Sequence, residues 1–142
     1  MKTSARNQFP GIVNAVQIGA VNAEVHVGLA GGANIVATIT KESVDTLGIE
    51  VGKAVIALVK APQIILVTDF GGYRVSARNQ LPGTITQVKP GAVNTEVDIE
   101  LVGGEAVAAS ITNDSAETLG LRKGLAVTAI FKAGSVILAV AA

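Results

Sequence analysis

The sequence contains no cysteine, one histidine and very few aromatic residues. Without cysteine neither a disulfide nor a thiolate metal site can form, and His26 alone cannot supply a histidine cluster for zinc, copper or iron. Aromatic residues make up 3% of the chain, so the stacking surface used by single-strand nucleic-acid binders is missing. Eleven basic and eleven acidic residues cancel, which argues against general attraction to nucleic acids or to membrane surfaces.

Long apolar runs are also missing. No stretch approaches the roughly 20 apolar residues of a membrane span, and residues 1–8 lack the apolar core of a signal peptide. We therefore expect a cytoplasmic protein. Val, Ile, Ala and Leu supply most of the hydrophobic 49%, which favours strands over helices. Because modules this small cannot bury so much apolar surface in their own cores, we expect some of it to lie against other subunits.

An internal repeat with an offset of 72 residues organises the whole chain. Of the 65 pairs that align residues 4–68 with 76–140, 32 are identical, which is too many for chance. The opening octapeptide of the repeat, Ser-Ala-Arg-Asn-Gln-x-Pro-Gly, occurs at 4–11 and again at 76–83. The glycine pair at 71–72 predicts a flexible linker between the two copies.

Each copy shows the same order of predicted elements. In copy one we predict strands at 9–18, 21–30, 34–40, 53–59 and 63–68, with a short helix from Lys41 to Leu47 that stops at Gly48. The strand at 21–30 alternates, with Val21, Ala23, Val25, Val27 and Leu29 on one face. Gly31-Gly32 predicts the hairpin turn that follows it.

This order predicts a mainly β protein of two tandem OB-type five-stranded β-barrels, each with one short helix between strands 3 and 4. The predicted domains are residues 1–69 and 76–142, joined by a linker at 70–75. Closing the sheet would protect the exposed edges of so small a module.

Signatures of catalysis are missing from both copies. The sequence has no GxSxG, GxxxxGK[ST] or HExxH motif. His26 lies on the polar face of a predicted strand, where copy two has Asp98, so a solvated surface histidine explains it better than a catalytic one. Glu24 and Glu96 recur, but no partner group stands beside them, which favours exposed or interface carboxylates over acid–base catalysis. We therefore predict that the protein is not an enzyme.

Three short polar segments recur although strands do not require them. They are the Ser-Ala-Arg-Asn segments at 4–7 and 76–79, the helix starts at 40–43 and 112–115, and the Lys-Ala pairs at 60–61 and 132–133. Together they supply a guanidinium, an ammonium, several hydroxyls and a helix N-terminus, which are the groups that an oxyanion needs. One Arg and one Lys would neutralise a dianion.

Each segment also has a simpler interpretation. Thr40 or Ser43 could serve only as a helix cap, because Ser and Thr are common N-caps. Lys60 could be the polar end of a strand, and Arg6 could be a solvated residue near the terminus. The joint recurrence of the three segments supports the binding interpretation, although duplication also copies residues without a role.

These motifs, together with Gly-Ala-Val-Asn-x-Glu-Val and Ile-Thr-x-x-Ser, closely resemble the molbindin or Mop (TOBE-type) domain family, and the match covers nearly the whole chain twice. The resemblance implies an OB-type barrel, cytoplasmic binding of molybdate or tungstate, and a homotrimer for a two-module chain. It implies oxyanion sites between subunits and modules, and no directly ligated metal cation. The site residues carried over are Ser4, Ala5, Arg6, Thr40, Ser43, Lys60, Ala61, Ser76, Ala77, Arg78, Thr112, Ser115, Lys132 and Ala133.

The leading functional hypothesis is non-catalytic molybdate binding for intracellular storage or homeostasis, without nucleic-acid or membrane partners. A molybdate-responsive sensor module acting on a partner protein is the first alternative, and an OB-type nucleic-acid binder is the second. One departure from the family pattern separates the copies: Lys60-Ala61-Pro62 in copy one becomes Lys132-Ala133-Gly134 in copy two. Because glycine frees the backbone, the two classes of site are expected to differ in affinity.

Overall fold

A computed structural model describes residues 1–142, and its two halves contain the same series of elements. The first half contains β1 (Asn7–Ile18), β2 (Asn22–Leu29), β3 (Asn34–Thr40), α1 (Lys41–Leu47), β4 (Ala54–Val59), a 3-10 helix (Ala61–Gln63) and β5 (Ile65–Val67). The second half contains β6 (Asn79–Pro90), β7 (Asn94–Leu101), β8 (Ala106–Thr112), α2 (Asn113–Leu119), β9 (Ala126–Phe131), a 3-10 helix (Ala133–Ser135) and β10 (Ile137–Ala139). The predicted mainly β architecture with one short helix per module is confirmed.

The local predictions hold in most places. Helix α1 has the predicted bounds, and Gly48 ends it in the left-handed conformation with φ 65°. The alternating burial of β2 also holds from Ala23 to Leu29. Val21 is the exception: it lies before β2 and is 73% exposed, so its predicted place on the buried face is wrong. The turn that precedes the strand, not the alternation, sets its direction.

Strand β1 is long because it pairs with two neighbours. Residues 7–12 pair with β4, residues 11–18 pair with β2, and a bulge between Val13 and Ala15 bends the strand between them. Gly11 lies where the two pairings overlap, and a Cβ there would come within 2.6 Å of the Gly28 carbonyl oxygen. A residue without a side chain is therefore required at the point where the sheet curls, and Gly83 repeats the arrangement in β6.

The two halves exchange their last strands. The strand order of one sheet is β10-β4-β1-β2-β3, and that of the other is β5-β9-β6-β7-β8. Leu138 of β10 is thus opposite Ala57 of the first half, while Leu66 of β5 is opposite Ala129 of the second. Neither 1–69 nor 76–142 contains all five strands of one sheet.

Buried asparagines join the halves a second time. The side chain of Asn7 accepts a hydrogen bond from the Ala108 N–H and donates one to the Ala108 carbonyl, both at 2.8 Å. Asn79 makes the same pair of bonds with Val36, also at 2.8 Å. Each amide therefore substitutes for a strand neighbour at the outer edge of β8 or β3, which would otherwise leave buried backbone groups unpaired.

One continuous core of 27 buried residues runs through both halves, so the exchange leaves no boundary between two separate cores. It is built mainly from Val, Ile, Leu and Ala, with Phe9 and Phe131 as its only aromatic side chains. The hairpin turns of the halves also meet, because a Cβ at Gly31 would come within 2.5 Å of the Gly103 carbonyl oxygen. None of the helices has the length and apolar character needed to cross a membrane.

Candidate oxyanion site

The Ser-Ala-Arg segments lie just before the buried asparagines that anchor β1 and β6. Asn7 and Asn79 are each 1% exposed, whereas the arginines that precede them are about half exposed. Each short front segment is therefore fixed at its C-terminal end by the opposite half of the molecule. The repeated segments include these asparagines, but the sequence pattern does not predict this role because it carries no sign of the opposite half.

Both arginines bind carboxylates of the other half. Arg6 Nη2 donates a hydrogen bond to Glu96 Oε1, and Arg78 Nη1 forms an ion pair with Glu24 Oε1. The sequence predicts exposed or interface carboxylates at Glu24 and Glu96 without a partner group, and the structure supplies that partner from the distant copy. The guanidinium charges that sequence reasoning assigned to the anion are thus already compensated.

The two ion pairs have different surroundings. Lys89 Nζ lies 3.6 Å from Asp98 Oδ2 in the same half as Glu96, whereas His26 Nε2 lies 3.7 Å from Glu24 Oε1. The hydrogen bond from Arg6 holds the pKa of Glu96 below its ordinary value, with Coulombic help from Arg6 and Lys89 and against the effect of desolvation. The same hydrogen bond raises the pKa of Arg6.

The helix starts carry hydroxyl pairs. Thr40 Oγ1 accepts from the Ser43 N–H at 3.1 Å and donates to Ser43 Oγ at 2.8 Å, so Thr40 is the N-cap. Since Ser43 Oγ accepts from Thr40, its own proton is free to be donated elsewhere. Thr112 and Ser115 repeat both distances. The cap interpretation is confirmed, and it leaves one hydroxyl donor at each helix start.

The helix starts have fewer free backbone N–H groups than the sequence analysis predicts. The Lys41 N–H donates to the Val21 carbonyl at 2.9 Å, and the Ser43 N–H is used by the cap. In copy two the Asn113 N–H likewise donates to Val93, at 3.2 Å. Two of the first three N–H groups of each helix are therefore occupied, so hydroxyl groups rather than the helix terminus are the donors left there.

Two neighbouring cavities hold five of the seven copy-one candidates, and Arg6 and Ala61 line neither of them. Ser4, Ala5 and Lys60 line one of about 490 Å³, and Thr40 and Ser43 line another of about 550 Å³. Gly134 and Ile137 of the second half contribute to both. The structure therefore brings the front segment to the lysine of its own copy, with the hydroxyl pair in the adjacent cavity.

Strand exchange decides which Lys-Ala segment lies beside which helix start. The 3-10 helix Ala133–Ser135 packs on β3, which leads into α1, and Ala61–Gln63 packs on β8, which leads into α2. The copy-one helix start thus lies beside the Ala-Gly segment of copy two. Ala61 and Ala133 are both buried beneath these turns.

The lysines are the uncompensated cations of the candidate set. Lys60 and Lys132 are exposed, and neither takes part in the ion pairs of the structure. Each lies between the end of β4 or β9 and the 3-10 helix that follows. No group of three or more His, Asp or Glu residues could hold a metal ion. The arrangement offers hydroxyls and one ammonium to an anion, and no ligand set for a cation.

Comparison with known proteins places this architecture in a family. The TOBE domain model matches residues 3–66 and 75–138, which together make up most of the chain. The chain therefore belongs to the TOBE domain family and carries two such domains in tandem. The resemblance to Mop-type domains is confirmed.

Curated relatives are longer than this chain. It is 46% identical over 140 residues to the molybdenum transport protein ModE of Herbaspirillum seropedicae, covering 99% of this chain and 52% of that protein. It is 42% identical to the molybdenum-pterin-binding protein MopA of Rhodobacter capsulatus and 38% identical to the DNA-binding transcriptional dual regulator ModE of Escherichia coli K12. Each of these two alignments covers 98% of this chain and 52% of the relative. The chain spans about half the length of the curated relatives it matches.

A solved structure matches the whole chain. The crystal structure of the cytoplasmic molybdate-binding protein ModG with molybdate bound superimposes with a TM-score of 0.97 at 48% identity. The superposition covers 99% of this chain and 100% of that one. The arrangement of two intertwined five-stranded sheets is therefore shared with a protein that holds molybdate.

Proposed function

We propose that this protein binds molybdate or tungstate without catalysis and serves intracellular molybdenum storage or homeostasis in the cytoplasm. The observation that carries the proposal is the convergence of Ser4, Ala5 and Lys60 on one cavity, next to the hydroxyl pair of Thr40 and Ser43. The ammonium attracts the dianion, and neutral hydroxyl donors fill the remaining directions around its four oxygens. The molybdate bound to ModG, at 48% identity, supports this ligand class.

The proposed sites combine the same fourteen residues that the family resemblance implies. Copy one contributes Ser4, Ala5, Arg6, Thr40, Ser43, Lys60 and Ala61; copy two contributes Ser76, Ala77, Arg78, Thr112, Ser115, Lys132 and Ala133. We propose that the sites close at interfaces between subunits and between modules, because the cavities are open in a single chain. Gly134 lines both copy-one cavities, so the Pro62-to-Gly134 difference alters the wall of one site class and not the other.

Assembly as a homotrimer accounts for the apolar surface that a single chain leaves uncovered. Ile65 and Ile137 occupy equivalent repeat positions and are 60% and 61% exposed, and Val21 and Val93 are both 73% exposed. Because both halves expose aliphatic residues at equivalent positions, both halves can form the same apolar contacts in an assembly. Light scattering after size exclusion tests this proposal: the mass should be three times 14.3 kDa. A monomeric mass would overturn it.

Equilibrium dialysis against molybdate, with bound molybdenum counted by elemental analysis, tests the binding itself. We expect at least one molybdate per chain, and a lower stoichiometry contradicts the proposal. Isothermal titration with molybdate and then with sulfate tests selectivity, and we expect sulfate to compete poorly. No nucleic acid is expected to bind, and a salt-dependent gel shift with single-stranded DNA would contradict that expectation.

A sensor role is the second candidate, and the similarity to the DNA-binding transcriptional dual regulator ModE of Escherichia coli K12 favours it. In that case the exposed β surface would contact a separate partner protein in a molybdate-dependent manner. Affinity capture with and without molybdate distinguishes the two roles. Storage predicts no partner whose capture changes with molybdate, whereas a sensor predicts a defined partner that appears or disappears with the anion.

A further inference from the structure

Anion binding alone does not explain why the carboxylates of Glu24 and Glu96 lie near the proposed oxyanion sites. Each lies in the middle of a strand, on the face opposite the core, and each binds the arginine of the distant front segment. Glu96 and Arg6 are 90 residues apart in sequence, so the contact is made only by the folded chain. An acidic residue beside a proposed anion site is unfavourable unless a cation neutralises it.

The arginine is tied to a segment that has a second anchor. Arg6 directly precedes Asn7, whose buried amide is bonded to Ala108 of the second half at 2.8 Å. Ser4 and Ala5 directly precede Arg6 and line the cavity of Lys60. Along the chain, Arg6 therefore lies between the buried anchor Asn7 and the cavity-lining residues Ser4 and Ala5. Glu24, Arg78 and Asn79 repeat this sequence of contacts in the other half.

We propose that Glu24 and Glu96 are positioning residues of the oxyanion sites, which deepens the function proposed above and rests on it. Each carboxylate holds the arginine of the opposite half and so fixes the backbone and serine of that half's front segment. The guanidinium acts through this pair and does not bind the anion directly. The front segment is then preorganised before the anion arrives, which removes the entropic cost of ordering it on binding.

Neutralising the arginine also changes how the site attracts its ligand. A guanidinium free of Glu96 would attract every dianion of similar charge, whereas a paired one leaves the lysine as the single uncompensated cation. The affinity of the site then depends more on the fit of hydroxyl and backbone donors around the anion. Discrimination between anions of equal charge requires that dependence on fit.

A charge exchange in the full-length protein tests the positioning role. Glu96→Gln is expected to weaken molybdate binding at half of the sites by roughly tenfold, as loss of an outer partner does at metal sites. The double variant Arg6→Glu with Glu96→Arg rebuilds the pair in reverse and should restore the affinity. If Arg6 binds the anion directly, the double variant binds molybdate as weakly as Arg6→Glu alone, and that result overturns the proposal. Glu100→Gln, an exposed carboxylate on the same strand, is the matched control and should change nothing.

Amide hydrogen exchange on the anion-free protein tests the positioning role separately. A residue that only bound the anion would not change the exchange rates in its absence. Glu96→Gln should speed exchange in residues 4–6, and the charge exchange should slow it again, while Glu100→Gln leaves it unchanged. Unchanged protection in Glu96→Gln would overturn the positioning role even if molybdate binds well. A wild-type protein that binds no molybdate would instead contradict the proposed function, and the exchange measurement would still decide whether the carboxylate holds the segment.

Discussion

Charge at the candidate site is distributed unequally between its arginine and its lysine. Arg6 is paired with Glu96, whereas Lys60 is exposed and forms no ion pair. In the proposed site the two cations would therefore act in different ways: the lysine would attract the anion, and the arginine would hold the front segment in place. Neither side chain belongs to the core, so neither should matter much for folding.

Lys60→Ala is predicted to weaken molybdate binding at the affected sites by roughly tenfold to a hundredfold, the worth of a hydrogen bond to a charged group. Arg6→Ala should also weaken binding, by loosening residues 4–6. Isothermal titration measures both effects. Thermal unfolding without ligand should show a nearly unchanged Tm for Lys60→Ala and only a small decrease for Arg6→Ala, which loses the exposed ion pair with Glu96. Lys123→Ala is the matched control, since Lys123 lies in an exposed turn of the second half. A collapse of the Tm in either site variant would mean that its residue is structural.

The Glu96 pair also predicts a dependence of stability on pH. Because Arg6 lowers the pKa of Glu96 in the folded protein, the pair stabilises the fold above the ordinary glutamate pKa of 4.5. That contribution is lost as the pH falls through the lowered folded-state value, when the carboxylate becomes protonated. Thermal unfolding of wild type and Glu96→Gln should therefore differ slightly at pH 7, and the difference should shrink as the pH falls below 4.5. A difference that does not shrink with decreasing pH would contradict this assignment.

At the scale of single elements, the unusual feature is an asparagine that acts as a strand neighbour. The outer edges of β3 and β8 would leave a backbone N–H and carbonyl without partners at Val36 and Ala108. An asparagine side chain carries one donor group and one acceptor in the spacing of a peptide, so it can satisfy both. These bonds close the edges against further strand pairing and join the halves where the front segments begin.

Asn7→Ala is predicted to lower the free energy of unfolding by about 1–3 kcal/mol, because two buried backbone groups lose their partners. Urea denaturation measures the change. Asn14→Ala is the matched control on the same strand: Asn14 is exposed and bonds only to the side chain of Asn34, at 3.1 Å. Equal effects of the two substitutions would show that the buried amide contributes nothing special.

For the whole molecule, the exchanged strands make the two halves one folding unit. The first sheet lacks its outer strand without β10, and β5 has no partner without β9. The shared core of 27 residues would also be opened by separating the halves. We expect a single half in isolation to complete its sheet by exchanging β5 with another copy of itself.

Residues 1–72 expressed alone are therefore predicted to form a dimer or a larger assembly rather than a folded monomer. Light scattering after size exclusion measures the mass, and circular dichroism confirms that the β structure is present. The full-length chain serves as the reference for β content. A monomeric half with native β content and a cooperative unfolding transition would show that the exchange is not required for folding.

Sequence alone determined what depends on neighbouring residues. The repeat, the alternation in β2, the bounds of α1 and its stop at Gly48 follow from local patterns of side chains, and the structure agrees with them. The polar composition of the candidate site could also be recognised, because its segments recur at a fixed offset. Val21 was placed wrongly because alternation does not show where a strand begins.

Only the tertiary structure decided which half completes which sheet. Strands β5 and β10 both contain Ile-Leu, at 65–66 and 137–138, so their patterns fit either sheet equally well. The choice depends on the path of the chain through Ala61–Gln63 and Ala133–Ser135, which pack on the strands of the opposite half. The pairing of Arg6 with Glu96 and of Arg78 with Glu24 depends on the same long-range contacts. Contacts between residues so distant in sequence leave no local pattern, and they determine how the candidate site is held together.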